Sequence, residues 1–127
     1  METTTPRLRE HPAERFAGPE HVFDLRQTAS TLQEEAHASQ QGHRQISIFH
    51  RDNVTMVLFV FEAGGTMREH RANGLVTIQI LDGALSVTTP QSTYDLQSGQ
   101  ILALDANVPH SLQATALTQM LLTVHRS

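Results

Sequence analysis

The chain has 127 residues, the size of one domain, and a formal net charge of −4 with no basic stripe, which argues against a nucleic-acid partner. It contains no cysteine, so thiolate nucleophiles, iron–sulfur clusters and cysteine-type zinc sites are excluded. All nine basic residues are arginine, which also excludes Schiff-base chemistry and a P-loop lysine.

Residues 1–19 hold three prolines, three threonines and mixed charges, and read as a flexible tail or loosely docked arm. Met1 to Arg15 lacks the apolar core of a secretion signal. Residues 20–127 form the single folded domain in this reading. Residues 24–38 are the one helical stretch, where Leu25, Ala29, Leu32 and Ala36 make a narrow apolar stripe. Gly42 is a plausible stop.

After Gly42 the period switches to that of strands. Ile46 and Ile48 alternate with Ser47, and Val54 to Phe61 is a continuous β-prone run, as expected of a strand covered on both faces. Its longest apolar stretch, Met56 to Phe61, is far too short to span a bilayer, so a cytoplasmic protein with no membrane partner is expected. Gly64-Gly65 turns the chain. Further strands are predicted at Leu75–Leu81, Leu85–Thr89, Thr93–Leu96, Ile101–Leu104, Ser111–Gln113 and Leu117–Val124. Asp82-Gly83 reads as a hairpin turn, with other turns at 90–92, 98–99 and 105–109. Short strands at such spacing mean an antiparallel sandwich or barrel whose interior can hold a small ligand. Both faces of Val54–Phe61 and Leu117–Val124 are apolar, so a homodimer is expected to cover part of the outside.

Two segments resemble the cupin family, of the small single-domain, RmlC-like kind. That family's first motif runs from a glycine through a His-x-His pair and a glutamate to a closing glycine. Here five residues separate Gly64 from His70, and Gly83 stands at the closing position. In the second motif Gly99, Asn107 and His110 match the glycine, the turn and the histidine. The resemblance covers about residues 40–127. It implies an all-β, antiparallel double-stranded β-helix, the jelly-roll or cupin barrel, with one short N-terminal helix. The family's metal is held by three histidines and a glutamate, of which only the His70 and His110 positions are kept. Ala72 replaces the second histidine, Val76 the glutamate, Asp105 a proline and Ala114 a final asparagine.

These departures shape the functional expectation. Two imidazoles make a poor metal site, because structural zinc wants four protein ligands and catalytic zinc three. Non-haem iron takes two histidines and a carboxylate. The neighbouring Glu69 could join only through a bulge. If Val76 points inward, so does Ile78, and Gln79 points out; a one-residue slip would bring Thr77 and Gln79 inside instead. Arg68 shares the face of His70 on a regular strand and reads either as solvated charge or as a clamp for a carboxylate. His11, His21, His37, His43, His50 and His125 have no motif support and read as ordinary surface histidines.

The candidate ligand-binding residues are therefore His70, His110, Arg68, Val76, Ile78 and Gln79. His70 and His110 double as candidate metal ligands for a weakly bound zinc, nickel, manganese or iron. The expected function is binding of a small, largely apolar molecule in the barrel interior near His70 and His110. The alternative is a metal-dependent cupin enzyme of dioxygenase, isomerase or decarboxylase type with a reduced ligand set; a third reading is a structural role.

Overall fold

The structure, a computed structural model, describes residues 16–35 and 41–127. Among the described residues one helix, α1 (Leu25–Gln33), precedes nine strands: β1 (His43–Arg51), β2 (Val54–Phe61), β3 (Thr66–His70), β4 (Leu75–Asp82), β5 (Ala84–Thr88), β6 (Thr93–Gln97), β7 (Ile101–Leu104), β8 (His110–Ala114) and β9 (Thr118–His125). They form two antiparallel sheets, one ordered β1-β2-β9-β4-β7 and the other β3-β8-β5-β6. This is the all-β antiparallel architecture expected, with one short helix among the described residues.

Alternation along each strand decides what fills the space between the sheets. Phe59 and Phe61 of β2, Val76, Ile78 and Ile80 of β4, Leu85 and Val87 of β5, Leu112 of β8 and Met120 and Leu122 of β9 pack there as one core. The other face of β2 is also apolar, and a second, smaller cluster covers it. Leu58 and Val60 pack there with Ala29 and Leu32 of α1, joined by Ile46, Ile48 and Leu81. The unbroken apolar run of β2 is thus explained: it is covered on both sides.

Asp24 caps α1, its Oδ1 accepting the Gln27 N–H at 2.9 Å. The helix ends at Gln33, well before Gly42. Glu34 and Glu35 donate to the Thr31 and Leu32 carbonyls, tightening the last turn into i→i+3 bonds. Of the predicted stripe, Ala29 and Leu32 are buried, while Ala36 lies outside the described residues. So does most of the expected flexible tail. Its described end is docked, with Phe16 edge-on to Phe49 and Arg51 donating to the Gly18 carbonyl at 2.9 Å.

One turn differs from expectation. Asp82-Gly83 does reverse the chain, but not as a hairpin, since β4 and β5 lie in different sheets. The segment carries the chain from one layer to the other. Gly83 sits at φ +111°, and a Cβ there would come within 2.5 Å of the Leu117 carbonyl. Turn chemistry says that the chain bends; it does not say which sheet receives it. The 90–92 turn, by contrast, joins β5 to β6 as a true hairpin. Gly65 is needed for a close approach, because a Cβ would stand 2.3 Å from the Gly42 carbonyl.

Candidate functional site

His110 opens β8, just after a tight turn. Asn107 adopts the left-handed φ of 68° there. Its N–H donates to the Ala72 carbonyl at 2.8 Å, and the Val108 N–H donates to Asp105 at 3.3 Å. The turn is thus tied to the segment after β3, and it delivers His110 onto the inner face at the start of the strand.

His70 closes β3, where the ladder to β8 is irregular. Thr66 pairs with Gln113 and Met67 with Leu112, yet His70 pairs with His110. Arg68 and Glu69 together therefore oppose the single residue Ser111. This β-bulge adds one residue to β3, so His70 returns to the inner face occupied by Met67. A regular strand would have put Glu69 there.

The bulge brings the two imidazoles together. Their ring centroids are 4.3 Å apart with planes at 61°. Each ring is pinned by a carbonyl two residues upstream. His110 Nδ1 lies 2.9 Å from the Val108 oxygen, and His70 Nδ1 lies 3.1 Å from the Arg68 oxygen. A carbonyl can only accept, so both Nδ1 atoms carry the proton and donate. In the neutral rings Nε2 is then a bare lone pair. His110 is only 1% exposed, and its Nε2 is buried with no partner. Burial holds the His110 imidazole below its ordinary pKa; the neighbouring His70 pushes the same way, and the Val108 carbonyl partly opposes both.

The other candidates divide between the two faces. Val76 and Ile78 are buried on the inner face of β4, paired with Leu104 and Leu102. This register settles the slip: Gln79 is on the outer face, half-buried between Ile101 and Leu121 in the ladder, and does not join the histidines. Arg68 is likewise not brought to the pair. The bulge leaves it exposed, lining a shallow groove on the outside of the four-stranded sheet with Thr66, Ser86, Thr88, Ser111 and Gln113. The Val108 and Arg68 carbonyls, which fix both tautomers, carried no signal in the sequence, since any residue supplies a carbonyl. His43, too, is more than a surface histidine: its Nδ1 lies 3.0 Å from the Thr66 oxygen and its ring packs on Phe59 and Phe61.

The donor set does not fit a resident divalent metal. Ala72 and Val76, at the remaining ligand positions of the resemblance, offer no donor atom, and Ala72 packs against the core. Glu69 is exposed. Among the described residues no group of three histidine, aspartate or glutamate side chains converges.

No protein-family model matches the chain, and no curated protein matches it. Solved structures do. A conserved Streptococcus pyogenes protein of unknown function superposes with a TM-score of 0.69 at 27% identity, over 88% of this chain and 94% of that one. A cupin superfamily protein from Desulfitobacterium hafniense gives a TM-score of 0.69 at 22% identity, over 96% of this chain and 94% of that one. An RmlC-like cupin from Desulfovibrio desulfuricans gives 0.65 at 20% identity, over 86% and 97%. Two packed antiparallel sheets, a histidine on each of two paired strands and these matches agree: the chain has the fold of a cupin barrel.

Proposed function

We propose that this cupin-fold protein binds a small molecule between its sheets, anchored at His70 and His110. The observation that carries the reading is the buried, unpartnered Nε2 of His110 beside a second imidazole. A buried polar atom left without a hydrogen bond costs about 1–3 kcal/mol, so a group that supplies one gains affinity there. The surrounding inner face is apolar, with Val76, Ile78, Leu104 and Leu112 in one cluster. One polar anchor beside an apolar face is the usual composition of a small-molecule site.

The test is a fragment screen by thermal shift and by NMR on the wild type and on His110→Ala. Hits that stabilise the wild type and lose their effect in the variant support the reading. A screen whose hits are indifferent to His110 overturns it. The metal-dependent enzyme is the weaker reading, because two nitrogens lack a third protein donor. Metal analysis of the purified protein separates the two, and a stoichiometric tightly held metal would favour the enzyme.

A further inference from the structure

We propose that the histidine pair selects an uncharged hydroxyl donor, a phenol or an alcohol on a small apolar body, and disfavours carboxylates. The inference rests on the binding reading above and adds the chemistry of the ligand. Both Nδ1 atoms are already committed to backbone carbonyls, at 2.9 Å from Val108 and 3.1 Å from Arg68. What a ring so held has left, in its neutral form, is the Nε2 lone pair, an acceptor. Burial disfavours the charged form of His110. Two adjacent acceptors call for a donor, and a carboxylate, which only accepts, meets lone pairs against lone pairs.

A carboxylate would also need a cation. The arginines closest in sequence do not provide one, because Arg68 lines the outer-face groove and Arg71 is exposed. An anion buried in apolar surroundings without a counter-charge is strongly disfavoured. A hydroxyl, by contrast, donates to one imidazole and brings no charge, while its apolar remainder meets Val76, Ile78 and Leu112.

The experiment has two arms. In the first, 15N-labelled histidine in the wild-type protein is examined by long-range 1H–15N NMR at neutral pH. Both rings are expected as the Nδ1–H tautomer, and a proton on Nε2 of His110 would overturn the proposal. In the second, 4-fluorophenol, fluorobenzene and 4-fluorobenzoate are titrated by 19F NMR as a matched donor, blank and anion. We expect 4-fluorophenol to bind up to about tenfold tighter than fluorobenzene, the worth of one net hydrogen bond. 4-Fluorobenzoate should bind weakest, and His110→Leu should erase the preference for the phenol. Benzoate binding as well as the phenol, or fluorobenzene binding equally, sinks the donor selection while leaving the binding reading standing. If none of the three binds, the binding reading falls and this inference with it.

Discussion

His70 and His110 face each other as direct cross-strand partners, yet only one of them is fully buried and has an orphaned ring nitrogen. The asymmetry has a consequence for pH. An imidazole in the unfolded chain titrates near 6.5, while burial holds His110 lower in the folded protein. Below about pH 6.5 the unfolded state therefore takes up a proton that the folded state refuses, and stability falls with pH. The loss grows until pH reaches the depressed folded value and then levels off. Urea unfolding at about pH 7.5 and pH 5.5 should show a lower midpoint at the acid end for the wild type, and a smaller drop in His110→Leu. Equal drops in both proteins would place the pH sensitivity elsewhere.

Much of this arrangement could be read in the residues themselves. The unbroken run of β2 announced a strand covered twice, and the glycine spacing around His70 and His110 placed both on paired strands. What could not be read was the face of each flanking side chain. Periodicity assumes a regular ladder, and one added residue between Met67 and His70 reverses it. Arg68 followed the regular pattern in the sequence and went outside in the fold. Gln79 was undecided until the pairing of Val76 with Leu104 fixed the register. The destination of the chain after Asp82-Gly83 depends on long-range pairing that no local signal carries.

Replacing His110 separates stability from binding. His110→Leu removes a buried unsatisfied nitrogen along with one carbonyl hydrogen bond, so folding stability should change by no more than about 1.5 kcal/mol in either direction. Ligand binding should be lost. Ile78→Ala, on the inner face and fully buried, should instead cost about 2–5 kcal/mol through the cavity it leaves. Denaturant midpoints for the two variants check this. A loss for His110→Leu as large as that for Ile78→Ala would make the histidine chiefly structural.

Two nitrogens hold a divalent metal poorly, and a third should change that. Ala72 lies two residues beyond His70 and packs against the core. Ala72→His should raise zinc affinity by at least about a hundredfold over the wild type, consistent with the three protein ligands usual at catalytic zinc. Calorimetric titration with zinc and nickel measures it. Unchanged affinity would mean that the 72 side chain does not reach the pair.

The outer face of the five-stranded sheet is only partly covered by α1. Leu75 and Ile101 remain 40% and 59% exposed at the β4 and β7 side. We propose that a second copy of the chain covers this side. Light scattering at micromolar concentration should give about 28 kDa, twice the 14.1 kDa of one chain, and Ile101→Glu should shift it toward the single mass. A wild-type mass of one chain removes the proposal.

The bulge in β3 makes the site sensitive to length rather than to identity. Arg68 and Glu69 both show exposed side chains, so a substitution scan should find them nearly silent. Deleting either one restores a regular ladder opposite Ser111 and fixes the alternation that follows. The residue pairing with His110 would remain His70, but the carbonyl two residues upstream would then be that of Met67, not the bulged Arg68 carbonyl that holds the His70 Nδ1. The backbone of two side chains that touch nothing in the interior thus governs what the interior can hold. Tolerance of replacement combined with intolerance of removal is the mutational signature this strand should leave.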